Sequence, residues 1–183
     1  MAATSVQTIA TRSFRFILRY FSRERQVLIG SLSCLVIWAM LVCTFPFLSG
    51  NVGLFIHSAV ILIVYATLFF SIAHYLRFDS NDSSIESLGC VVLYCFVSLL
   101  LILLFALGWA VFRNFGPSEL LARRAYVPNN IDALYFACVG FSTVGFGDLV
   151  PINPAGKLFL SFQALLSSVH LVAFFAFLLT KRK

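Results

Sequence analysis

The chain has 183 residues, 61% of them hydrophobic and only 11% charged, with a mean hydropathy of +0.97. Soluble domains carry about 25% charged residues, so this surface could not be covered in water, and the composition places the chain in a bilayer. The net charge of +6 does not indicate nucleic acid: the basic residues sit at the ends of apolar runs, where anionic lipid headgroups are the expected partner.

Residues 1–25 form a basic segment expected on the cytoplasmic side. Arg12, Arg15, Arg19 and Arg23 fall on one helical face, with Phe14, Ile17, Leu18 and Phe21 opposite. Such a helix can lie in the membrane interface against anionic lipids, or serve only as a topology anchor. With five arginines and no long apolar run, the segment does not read as a cleavable signal.

Four apolar stretches follow, over residues 26–48, 54–76, 88–112 and 157–180. Each is long enough to cross a hydrocarbon core, and in lipid each must be helical, because unpaired backbone groups are not tolerated there. The first two, within residues 26–87, are expected to be peripheral. Five cysteines, Cys34, Cys43, Cys90, Cys95 and Cys138, lie inside apolar stretches and read as small buried hydrophobes. The basic N-terminal segment and Lys181, Arg182 and Lys183 put both termini in the cytoplasm by the positive-inside rule. Arg113, Arg123, Arg124 and Lys157 fall on the other side as a minority. A plasma or cell inner membrane is the expected location. The sequence stops three residues past the fourth span, so a regulatory domain is expected to come from another chain.

A fifth apolar stretch, Ile131 to Phe141, is too short to span. Pro128-Asn129-Asn130 ends a loop and offers an N-cap, and Asp132 suits the first-turn dipole. A glycine-rich segment follows at once. The pattern is that of a re-entrant helix and loop, irregular backbone that must be buried in protein or line water.

Moving an ion selectively requires a replacement for its water shell, which backbone carbonyls supply if all face one way. Glycines at alternate positions allow the φ values that this needs. Thr143-Val144-Gly145-Phe146-Gly147 has that alternation. Thr143, Val144, Gly145 and Phe146 would offer carbonyls, with the Thr143 hydroxyl as innermost ligand. Val144 and Phe146 would point away and wedge against the short helix.

The run Ser142 to Pro151, reading STVGFGDLVP, resembles the potassium-channel signature. Asp132-Ala133-Leu134-Tyr135-Phe136 resembles that family's pore-helix start, and Gly156-Lys157 stands where its inner helix opens. The resemblance covers about half the chain, residues 88–183. It implies an all-α integral membrane fold of four transmembrane helices plus a re-entrant pore helix and selectivity-filter loop, assembled as a homotetramer. It implies passive K+ conduction, with K+ held at Thr143, Val144, Gly145 and Phe146, Gly147 closing the filter, and no cofactor beyond the ion.

Three positions depart from the family pattern. Phe146 replaces the commoner Tyr, Tyr135 and Phe136 stand where many members have a Trp pair, and Val139 stands where some place a Glu. The brace around the filter is therefore expected to be thin, with Tyr135 donating its hydroxyl to Asp148. Asp148 at the mouth either concentrates cations or acts as a brace. In the fourth span, Ser168, Leu171 or Val172, Phe175 and Leu179 are placed on a cavity face, and Phe175 or Leu179 either forms a hydrophobic constriction or packs between helices. Ser167 replaces a hinge glycine. His170 is phased away from the cavity and is expected to bond a neighbouring helix. No arginine row runs through a span, so no S4-type voltage sensor is expected, and no nucleophile–base or metal-ligand pattern suggests an enzyme. A transporter with a degenerate filter, a nonselective channel and a non-conducting subunit are the competing readings.

Overall fold

The computed structural model describes Ser33 and residues 51–78, 83–118 and 127–180. Apart from Ser33, the expected first span, the basic face of Arg12, Arg15, Arg19 and Arg23, and Arg123 and Arg124 lie outside the described residues. The elements are α1 (Asn51–Phe78), α2 (Ser83–Phe112), β1 (Phe115–Pro117), α3 (Asn130–Phe141), β2 (Leu149–Pro151) and α4 (Pro154–Thr180). Among the described residues, three helices are long and apolar enough to cross a membrane, over 51–73, 91–112 and 154–176. The protein is an integral membrane protein.

α4 starts three residues earlier than the hydropathy suggests, at Pro154 rather than Lys157. Proline suits a first helical position because its missing N–H would be unpaired there anyway. Asn153 caps the turn, its Oδ1 accepting from the Gly156 N–H at 2.7 Å. The described residues are mostly helical, as the all-α expectation has it, and one short strand pair is added to the helices. β1 and β2 pair antiparallel with Phe115 opposite Pro151 and Pro117 opposite Leu149. Gly116-Pro117 cannot extend α2, and proline is tolerated on an edge strand.

Inside lipid the hydrophobic effect no longer drives helix against helix, so shape and polar bonds decide the packing. At the end of the bundle next to the glycine-rich segment, aromatic rings fill the space between α2, α3 and α4. Trp109 meets Phe136 at 4.7 Å and Phe159 at 4.8 Å, both edge-on, and Phe115 stacks on Phe136 at 5.3 Å. Such pairs add roughly 0.5–1.5 kcal/mol each.

α1 lies against α2 and α4 and is fixed at two levels. Near one end His57 is buried, its Nε2–H donating to the Leu104 carbonyl at 3.0 Å. The ring fits over Gly108, where an added Cβ would come within 2.9 Å of His57 and 2.7 Å of Phe159. Deeper along the bundle, His170 of α4 bonds Ser98 Oγ of α2 at 3.0 Å. Its ring stacks on Tyr94 at 4.5 Å and meets the Tyr65 edge of α1 at 5.6 Å. His170 therefore faces the helix seam, on the side its sequence phase indicates.

Candidate functional site

The site begins where α2 ends. Arg113 adopts a left-handed φ of 51° and aims its guanidinium across the loop, donating to the Pro128 carbonyl at 2.9 Å and Asn130 Oδ1 at 3.0 Å. This cation was legible in the sequence only as a minority charge. Next to it, Asn129 Oδ1 accepts from the Ile131 and Asp132 N–H groups, and Asp132 Oδ2 accepts from the Asn129 N–H at 2.6 Å. This reciprocal box satisfies donors that a helix start would leave bare. Asp132 thus works as a cap and also as a first-turn charge.

α3 buries Ala133, Phe136, Ala137 and Val139, with Ala133, Phe136 and Ala137 at the i, i+3, i+4 spacing of one helix face. Its end is tightly tied. The Ser142 N–H donates to the Cys138 carbonyl at 2.9 Å, and the Val144 N–H reaches back to Val139 at 3.2 Å. Beyond this point the backbone alternates. Thr143, Gly145 and Gly147 have φ of 58°, 57° and 77°, whereas Val144 and Phe146 stay outside the positive region. In a β-strand successive carbonyls face opposite ways. Left-handed residues at every second position undo that reversal, so successive peptide dipoles can line up on one side. Glycine adopts such a φ freely, while Thr143 does so at a cost of about 1 kcal/mol. Its Oγ1 donates to the Ser142 carbonyl at 2.7 Å.

Val144 and Phe146 are 55% and 69% exposed on the single chain. The Phe146 ring lies parallel to that of Tyr135 on the short helix, with centroids 6.4 Å apart. The segment is tethered at its ends, by Val144 to Val139 and by Asp148, whose carbonyl accepts from the Ser118 N–H at 2.8 Å. Between the tethers it stands clear.

The Tyr135 hydroxyl donates to Asp148 Oδ2 at 2.8 Å. That bond is the main reason the phenol is pushed above its usual range, so it remains a donor at neutral pH. Below the mouth, Asn114 and Asn153 pair through their side-chain amides at 2.8 Å, and the Asn114 carbonyl accepts from the Ile152 N–H at 3.1 Å. A buried relay joins three helices: Trp109 Nε1 donates to Gln163 Oε1 at 2.9 Å, and Gln163 Nε2 donates to the Ala137 carbonyl at 2.6 Å. The sequence reading missed Gln163 and Asn114. For Gln163 the available signal was an amide in the middle of an apolar span, which in lipid demands a partner.

On α4, Ser168, Val172, Phe175 and Leu179 are exposed along one face, as is Leu171. Ser168 Oγ turns back to the Ala164 carbonyl at 2.9 Å, as buried Ser167 also does. Leu179 lies about 16 Å along the helix from Ser168, at 1.5 Å per residue, so the structure does not bring the lower stripe to the glycine segment. Among the described residues no group of three His, Cys, Asp or Glu is placed to hold a metal ion.

Residues 99–181 match the family model described as "Ion channel". A hyperpolarization-activated voltage-gated potassium channel of Methanocaldococcus jannaschii is 30% identical over 89 residues, which is 49% of this chain and 35% of that protein. The chain thus spans about a third of the length of this curated relative. No solved structure matches.

Proposed function

We propose, from the match of residues 99–181 to the ion-channel family model, that the protein is a potassium-selective pore subunit conducting K+ passively down its gradient. The observation that carries this reading is the alternation of left-handed φ at Thr143, Gly145 and Gly147, directly after a short helix too brief to span. Carbonyls of Thr143, Val144, Gly145 and Phe146 replace the water shell of K+, and the Thr143 hydroxyl adds the innermost oxygen. One strand surrounds nothing, and each chain carries one such segment, so four copies close the filter as a homotetramer. The exposed faces of Val144 and Phe146 are then covered by neighbouring copies.

Tyr135 and Asp148 brace the mouth, and Asp148 raises the local cation concentration. The carbonyl end of α3 directs its negative dipole to the cavity beneath. Ser168, Phe175 and Leu179 line the conduction path, with Phe175 or Leu179 as an apolar constriction. No span of the sequence carries a row of arginines, so gating is not by an S4-type sensor. The termini lie in the cytoplasm, in a plasma or cell inner membrane, with Arg12, Arg15, Arg19 and Arg23 against anionic lipid.

The test is the reversal potential of purified protein in a planar bilayer with K+ on one side and Na+ on the other. Reversal near the K+ equilibrium potential is expected. Reversal near zero would overturn K+ selectivity and leave a nonselective channel.

A further inference from the structure

Gln163 sits in the middle of α4 with no exposed surface, and both ends of its amide are engaged. Trp109 can only donate, so its 2.9 Å bond turns Oε1 towards α2 and leaves Nε2 for the Ala137 carbonyl of α3, at 2.6 Å. A flipped amide would set donor against donor and acceptor against acceptor. The orientation is therefore fixed by chemistry as well as by space.

The Ala137 carbonyl lies in the body of α3, where its own helix already offers it one N–H partner. The bond from Gln163 is an addition and not a rescue of an orphaned group. Ala137 is six residues before Thr143, and the turn between them carries the tethers from Ser142 to Cys138 and from Val144 to Val139. A displacement of α3 at Ala137 is thus passed on through a short, bonded stretch to the first left-handed residue. Lipid offers the amide no alternative partner.

We propose that Gln163 is a positioning residue that latches α3 to α4 and α2, and that its bond to Ala137 holds the left-handed segment in its conducting register, so that movement of α4 reaches the filter through this side chain. The proposal rests on the reading that residues 143–147 conduct K+.

The test uses the full chain in planar bilayers with Gln163→Met, which keeps length and removes both bonds, beside Trp109→Phe and the double variant. Amide hydrogen exchange is followed on α3 in parallel. For Gln163→Met we expect the K+ over Na+ permeability ratio to fall, or current decay to quicken, by about fivefold, the scale of one net hydrogen bond. Trp109→Phe should move the same readout by less, because the Ala137 bond persists, and the double variant should be no worse than Gln163→Met. Faster exchange is expected at residues 137–144 and not in α1. If the native chain conducts K+ and Gln163→Met keeps ratio and decay within about twofold, the proposal is overturned, even if the variant melts earlier, since that marks a merely structural bond. If Gln163→Met does not assemble, Trp109→Phe decides, and an unchanged ratio and decay overturn the latch. If the native chain carries no K+ current, the pore reading fails by itself, and unchanged α3 exchange in Gln163→Met then rejects the latch too.

Discussion

The two ends of α4 are held in opposite ways. At the end next to the glycine-rich segment, Asn153 is tied to Asn114, Gln163 to both Trp109 and Ala137, and Phe159 is buried among aromatic rings. At the far end, Val172, Phe175 and Leu179 stand exposed on the chain, and the ring of Phe174 on Tyr94 at 4.1 Å supplies the packing. In lipid, apolar contact hardly favours one helix position over another, whereas each polar bond fixes a register. The end that carries Asn153 and Gln163 is thus held by several polar bonds and His170 by one, to Ser98, whereas the stripe beyond His170 stands exposed and is the part of α4 able to tilt.

The largest expected effect comes from breaking the fixed end at its backbone. Gly145 has a φ of 57°, and a Cβ added there would meet no atom of its own chain within 4 Å. Gly145→Ala therefore acts through conformation alone, at about 1 kcal/mol per copy. Over the four copies of the proposed assembly the K+ over Na+ permeability ratio should drop by more than tenfold, roughly the 1.4 kcal/mol step, while cross-linking should give the same species as the native chain. A ratio unchanged in the variant would remove the filter from residues 143–147.

The second effect separates α1 from the filter. At Gly108→Leu the new side chain must displace His57 and Phe159, and such overpacking costs about 1–3 kcal/mol. Thermal unfolding in detergent should shift down and amide exchange in α1 should quicken. The reversal potential should remain that of the native protein provided that the displaced Phe159 leaves the Trp109–Gln163–Ala137 bonds in place. Loss of selectivity here would tie the peripheral helix to the filter and weaken the contrast between the two ends.

The contrast also marks what could be read in advance. The glycine alternation, the Asn129 cap and the phase of His170 are local signals, carried by residues within a turn or two of each other. The Trp109–Gln163 bond joins residues 54 apart, and Asn114–Asn153 joins residues 39 apart. Nothing in a hydropathy pattern pairs them. The strand pair was missed for the same reason, since its partners lie on either side of α3.

A smaller effect is expected from the brace. Tyr135→Phe removes the donor to Asp148 and keeps the ring on Phe146. Current decay should quicken severalfold with selectivity intact, as single-channel open times would record. The pH dependence has a definite sign. The phenol is raised from its ordinary value of 10.0 by its bond to Asp148. A raised acid contributes fully below the unfolded value, and the contribution is lost as pH climbs through the higher folded one. Open times should therefore be insensitive to this group from about pH 7 to 9 and shorten only above about 10, and the Phe variant should lack that alkaline step.

The smallest structural effect, and the sharpest test of the free end, is Phe175→Ala with Leu179→Ala. Both side chains are more than half exposed on the chain, so unfolding temperature should barely move, within about 0.5 kcal/mol. The closed-state current should rise, because an apolar constriction blocks ions by excluding water, and shorter side chains let water persist. A clear drop in thermal stability with no added leak would mean that the stripe packs between helices, and the far end of α4 would then be as firmly held as the end that carries Gln163.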